Sequence, residues 1–196
     1  MKIIFYIFTI FPLRFAFKLW DYVFKVIPVY ALSFLPAFRI TKKNLSIAFP
    51  ELTEHELDLL AQKSYKETLK SFYETLYTWS RSSKKIIHET KKINNRFLFN
   101  NPEQESGLII FALHNRSIDF MLRWISSQRS HTSLYKKIKL KPVDNFVKKL
   151  RQEGNCKMVE TGIGGVKTNL NSLENNQMTC MASDQVPARG LGVYAK

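Results

Sequence analysis

The sequence predicts an α/β fold, a mostly parallel sheet with flanking helices, preceded by an N-terminal membrane-anchoring helix. Three observations carry this expectation. From Ser106 onward, short apolar runs of strand length alternate with stretches of helical length, the pattern of parallel strands joined by right-handed crossovers. The first run, Gly107-Leu108-Ile109-Ile110-Phe111-Ala112-Leu113, is continuously apolar, as a strand buried on both faces must be. Residues Met1 to Phe38 are mostly apolar and dense in large aromatics. The chain accordingly divides into an aromatic membrane anchor over 1–38, a helical segment over 39–100 and an α/β core over 101–196.

Within the anchor, the charge-free stretches Ile3 to Leu13 and Val26 to Phe38 are each shorter than the roughly 20 residues of a simple spanning helix. Arg14, Lys18, Asp21 and Lys25 lie between them. At about 100° per residue they fall on one side of a helix, as a polar stripe on an apolar rod. Such a helix lies in the membrane interface, or tilts with its lysines reaching toward headgroups. Pro12-Leu13-Arg14 follows the first apolar run without a small-x-small cleavage pattern, so a retained anchor is expected rather than a cleaved signal. Arg39, Lys42 and Lys43 come next and place the remainder of the chain on the cytoplasmic side.

Thr53-Glu54-His55-Glu56 has the form of a capping box and opens a helix. Its apolar face is Leu57, Leu60, Ala61, Tyr65, Leu69, Phe72 and Leu76. A second short helix is expected within Ser82 to Lys92. Beyond the first strand the expected elements are a helix over Ile118 to Ser127, a strand over Thr132 to Tyr135 and a helix over Val143 to Glu153. A strand over Cys156 to Val159, a helix over Val166 to Asn175 and a strand over Met178 to Ala182 complete the series. His55 and His88 read as ordinary surface residues.

Composition bounds the function. The 196 residues carry 30 Lys+Arg against 16 Asp+Glu, a formal charge of +14, with 45% hydrophobic residues. A real core is available, which excludes a disordered chain. The surplus calls for an anionic partner: nucleic acid, an acidic protein or a phospholipid surface. No helix-turn-helix, finger or RNP pattern is present, so nucleic acid is not expected. Cys156 and Cys180 cannot form a disulfide framework or a four-thiolate zinc site, and in expected strands they read as small core residues.

His114 follows the buried strand directly, and Asp119 opens the next helix. The order strand, His-Asn-Arg-Ser-Ile-Asp, helix sets an imidazole and a carboxylate at the C-terminal edge of the sheet, where open α/β sheets bind ligands. If the turn folds Asp119 back onto His114, the carboxylate fixes the tautomer and supports the charge gained when the ring takes a proton. Alternatively, Asp119 simply complements the helix N-terminus. Lys136, Lys137, Lys139, Lys141, Lys148, Lys149 and Arg151 concentrate positive charge nearby, either as a solvated face or as a docking surface. Gly162-Ile163-Gly164-Gly165 fits neither the P-loop nor G-x-G-x-x-G and reads as a tight strand-to-helix connection.

Three segments together resemble one family: Asn44-Leu45-Ser46-Ile47-Ala48-Phe49-Pro50-Glu51-Leu52-Thr53, the strand ending in His114 with Asp119, and Asp184-Gln185 followed by Gly190, Gly192 and Val193. They resemble the bacterial lipid A biosynthesis lauroyl and myristoyl acyltransferases, of the lysophospholipid acyltransferase superfamily with its His-x4-Asp/Glu signature. The resemblance implies a glycerolipid acyltransferase-like fold at the bacterial inner membrane, with the catalytic portion facing the cytoplasm. It implies transfer of a fatty acyl chain from an acyl carrier protein thioester to a hydroxyl of a lipid A precursor, with membrane lipids as surroundings. His114 inherits the role of base and Asp119 that of its partner. Lys136, Asp184, Gln185 and Arg189 become the candidate substrate-binding residues. The transfer is direct, so it calls for no cofactor, no metal and no cysteine nucleophile. Lys136 stands where the family commonly has Arg, and a lysine cannot reproduce a bidentate guanidinium contact. The chain stops at Lys196 where the family continues, so it is expected to be truncated at its C-terminus. Rival functions are a glycerolipid acyltransferase of the lysophosphatidic acid type and a non-catalytic membrane-binding protein.

Overall fold

The computed structural model describes residues 1–99 and 106–184. They fall into two compact units, one of residues 2–80 and the other of the described residues from Arg81 onward.

The first unit is helical. Helices α1 (Lys2–Phe8), α2 (Leu13–Val26), α3 (Val29–Leu32) and α4 (Pro36–Ala48) all pack on the long α5 (Glu54–Ser80). The single N-terminal helix expected from the sequence is therefore several short ones. Pro12 and Pro28 cap α2 and α3, and Pro36 opens α4; each lacks an N–H and ends the preceding run of helical hydrogen bonds. No single helix is long and apolar enough to cross a membrane, although α1 and α2, bent by 50° at their junction, pass that test as a pair. The capping box is in place, with the Thr53 N–H donating to Glu56 Oε2 at 2.9 Å and the Glu56 N–H reaching Thr53 Oγ1 at 3.4 Å. The core of this unit gathers Phe24, Leu32, Phe38 and Ala61, with Phe38 edge-on to Tyr65 at 5.8 Å. Of the apolar face expected on α5, Leu57 and Ala61 are buried whereas Phe72 is exposed. Lys42 turns back onto α5, bonding Glu54 at 2.7 Å and Asp58 at 2.6 Å.

The second unit is the α/β core. After α6 (Ser83–Glu89) and a 3-10 turn (Arg96–Phe99), strands and helices alternate. They are β1 (Leu108–Ala112), α7 (Ile118–Ile125), β2 (His131–Tyr135), α8 (Lys141–Arg151), β3 (Cys156–Glu160), α9 (Ile163–Glu174) and β4 (Met178–Ala182). The four strands form one parallel sheet in the order β1-β4-β2-β3. Each lies within a residue or two of its expected position. On one face, Leu122, Trp124 and Ile125 of α7 pack on Ala112, Met178 and Cys180. On the other, α9 joins the sheet through Thr132 Oγ1 and Ser172 Oγ, 2.7 Å apart. Gly165 explains the closeness of that helix: a Cβ there would meet the Glu160 carbonyl oxygen at 2.2 Å and Leu134 Cδ2 at 2.8 Å. The glycine-rich segment is thus a tight strand-to-helix connection. Both cysteines are buried strand residues, and burial pushes their thiols up, to about 12 for Cys156 and about 11 for Cys180. Neither offers a ready thiolate.

His131 opens β2 and is almost fully buried, and burial pushes its imidazole down to about 4. It is therefore neutral in the fold, whereas an unfolded chain protonates it near the ordinary 6.5. The stability linked to this group is complete above pH 6.5 and falls as the pH drops toward 4, by ~3 kcal/mol in all. Urea unfolding across that window should show this loss in the parent protein and a flatter profile in His131→Met.

Candidate active site

The parallel ladder between β1 and β4 pairs Leu108 with Met178 and Ala112 with Ala182. Continued past the strands, that register brings His114 opposite Asp184. The Ser183 N–H still donates to the Ala112 carbonyl at 3.0 Å, and the Asn115 N–H to the Leu113 carbonyl at 2.9 Å, so the chain turns sharply at His114. Asp184 then grips His114 twice: Oδ2 accepts the backbone N–H at 3.0 Å and Oδ1 lies 2.8 Å from ring Nδ1. These contacts, the backbone N–H first and the ring second, hold the Asp184 carboxyl below the usual range. An ionised carboxylate only accepts, so Nδ1 carries the hydrogen, which in the neutral ring leaves the lone pair on Nε2. Both side chains are partly open to solvent.

Of the two places open to Asp119, the structure shows the one at the helix N-terminus. It sits in the first turn of α7, whose cap is Ser117, with Ser117 Oγ accepting the Phe120 N–H at 3.3 Å. Arg151, at the end of α8, donates from Nε to Asp119 Oδ1 at 2.6 Å and from an Nη to Oδ2 at 3.0 Å. The carboxylate is buried, and its two oxygens are engaged by one guanidinium. The turn expected to fold Asp119 onto His114 instead leaves it on Arg151, and Asp184 takes the imidazole. Arg151 is accordingly no part of a solvated basic face. Burial works against its charge, and Asp119 more than compensates, so its pKa is raised.

Other members of the basic segment are also committed: Lys137 pairs with Glu160 at 2.8 Å, and Lys148 lies 5.3 Å from the centre of the Tyr135 ring. Lys136, Lys139, Lys141 and Lys149 remain exposed. Lys136 follows β2, the strand on the other side of β4 from β1. It therefore emerges from the same sheet edge as His114 and Asp184. Gln185 and Arg189, and the Gly190 to Val193 segment, lie outside the described residues. Among the described residues no group of three or more His, Cys, Asp or Glu is placed to hold a metal ion.

The sheet edge thus carries a histidine oriented by a carboxylate, with exposed Lys136 at the same edge, an arrangement chemically able to take a proton from a hydroxyl. The family described as bacterial lipid A biosynthesis acyltransferase matches residues 3–196. The chain belongs to this family. As a member of the lipid A biosynthesis acyltransferases it takes an acyl donor and a lipid acceptor. No curated protein matches the chain. Two residues of this lipid A acyltransferase escaped the sequence reading in the roles they occupy. Asp184 is the imidazole's partner, and Arg151 holds Asp119. The one signal for Arg151 was that it is the single arginine of a lysine-rich run, where a fork-shaped donor suits a carboxylate.

Proposed function

We propose that this chain moves a fatty acyl group from an acyl carrier protein thioester to a hydroxyl of a lipid A precursor, with His114 as general base. The observation that carries the reading is the double grip of Asp184 on His114. With Nδ1 held, Nε2 takes the proton of the acceptor hydroxyl as its oxygen attacks the thioester carbonyl. The tetrahedral intermediate then collapses with loss of the thiolate, which recovers the proton from the imidazolium. An ester and the carrier's free thiol result. Asp184 stabilises the imidazolium formed between these steps. Asp119, bound by Arg151, anchors the first turn of α7, the element that follows the loop after His114.

Exposed Lys136 is suited to a phosphate of the acceptor, and Gln185 and Arg189 are assigned to the same substrate. Lys139, Lys141 and Lys149 offer an acidic carrier protein a positive surface. The apolar aromatic N-terminus and the basic Arg39 and Lys43 support a place at the cytoplasmic face of the inner membrane.

The test supplies two donor and acceptor pairs to the full chain: radiolabelled acyl carrier protein with a lipid A precursor, and radiolabelled acyl coenzyme A with lysophosphatidic acid. Label is expected on the lipid A precursor, with transfer to lysophosphatidic acid at least tenfold slower. Label on lysophosphatidic acid alone would reassign the enzyme to glycerolipid synthesis, and label on neither would leave a membrane-binding protein.

A further inference from the structure

We infer that the N-terminal unit seats in a single leaflet of an anionic bilayer, its outer apolar stripe in the acyl region and no helix crossing. The inference rests on the membrane reading above and adds an orientation to it. On α2, Phe15, Leu19, Tyr22 and Val26 recur every three or four residues and are all exposed, Tyr22 by 65% and Val26 by 62%. That spacing is one line along the helix. On α1, Ile3 and Ile7 repeat the pattern, 77% and 66% exposed, and beyond the break at Pro28 Tyr30 and Phe34 are also exposed, by 71% and 78%.

The opposite faces of both helices are bound to α5. Phe5 of α1 packs on Trp79 at 5.6 Å between ring centres, and Thr9 Oγ1 lies 3.0 Å from Ser80 Oγ. From α2, Phe24 meets Tyr65 at 6.3 Å, and Asp21 Oδ1 binds Lys66 at 2.8 Å and Lys70 at 2.6 Å. Gln62 Nε2 donates to the Phe24 carbonyl at 3.3 Å and the Ile27 carbonyl at 3.1 Å. The exposed line is therefore the face each helix turns away from α5.

That arrangement decides the orientation. Were α2 to cross the bilayer, Asp21 and its two lysines would enter the hydrocarbon together with the polar surface of α5, at a cost no exposed apolar stripe offsets. Lying in the plane, α2 sinks only its outer stripe and leaves that network on the side away from lipid. Arg14, Lys18 and Lys25 follow the stripe along one edge, about 70–110° from its centre at 100° per residue. From there their stems reach the phosphate level. Asp21 is the one acidic residue among the first 50, and it is already paired. The edge is thus cationic and suits anionic headgroups better than a second protein's apolar groove.

The experiment places a single fluorophore at Ile7→Cys, at Tyr22→Cys or at Val26→Cys in the full chain, whose native thiols are buried. Each protein is mixed with vesicles of phosphatidylethanolamine and phosphatidylglycerol carrying nitroxide quenchers at shallow or deep positions. All three sites are expected to be quenched, with the shallow quencher at least twofold stronger at every site. Strong deep quenching at Tyr22 with shallow quenching at Ile7 would show a crossing helix and overturn the orientation while leaving membrane binding intact. No quenching at any site would overturn the membrane reading itself.

Discussion

The His114→Ala protein is expected to fold and to lose about 10²- to 10⁴-fold in acyl transfer. Its side chain is partly exposed and makes its ring contact with Asp184 alone among the described residues. Removing it therefore costs little packing. Asp184→Asn tests the partner. An amide oxygen still accepts one of the two hydrogen bonds, but the neutral group cannot stabilise an imidazolium, so a loss of about 10²-fold or more is expected with unfolding unchanged. Asp119→Asn supplies the contrast, because Asp119 contacts Arg151 rather than the ring. Its effect should appear first in thermal unfolding. Transfer of radiolabelled acyl chain, with the unfolding midpoint measured on the same preparations, gives the ordering. If Asp119→Asn stayed fully folded yet lost more transfer than Asp184→Asn, the carboxylate serving His114 would be Asp119. Near-normal transfer by folded His114→Ala would remove the mechanism.

Periodicity read the α/β core well because each strand there is a short apolar run set between helical stretches. β4 occupies Met178–Ala182 as expected, and β1 loses only the flanking Gly107 and Leu113. What periodicity cannot encode is which strands lie side by side. β4 inserts between β1 and β2, and only that order turns a separation of 70 residues into the contact of His114 with Asp184. Spacing along the chain points only to the near carboxylate, Asp119, five residues away. The same limit applies to Asp119 and Arg151, which meet because α7 and α8 pack on one another. In the N-terminal unit the polar stripe of Arg14, Lys18, Asp21 and Lys25 was legible and all of it falls on α2. That Asp21 leaves the stripe to bind Lys66 and Lys70 was not legible, since the partner lies on a helix 40 or more residues away. Prolines told where the chain breaks, yet an apolar composition read as one rod obscured them.

Arg151→Leu is expected to destabilise the α/β core by about 3–5 kcal/mol, because it leaves a buried carboxylate without its counter-charge. The side chain of Asp119 is only 8% exposed, and that of Arg151 22%, so solvent cannot take over the lost contacts cheaply. The pair also joins the first turn of α7 to the last of α8, and its loss loosens the segment that leads away from His114. Asp119→Leu should cost somewhat less, since a guanidinium on a long stem can move toward water whereas the carboxylate cannot. The double variant Asp119→Leu/Arg151→Leu should recover much of the loss, because two apolar groups of similar volume escape the desolvation that burdens a lone charge. Urea unfolding of the four proteins completes a cycle whose coupling is expected at about 2 kcal/mol or more, within the range for directly contacting residues. A cost below about 1 kcal/mol for Arg151→Leu would place the pair among exposed ion pairs and withdraw the anchoring role given to Asp119. A stable double variant that retains acyl transfer would show that Asp184 orients His114 without help from the buried pair. A stable one that loses transfer would make the Asp119 and Arg151 pair part of the reaction.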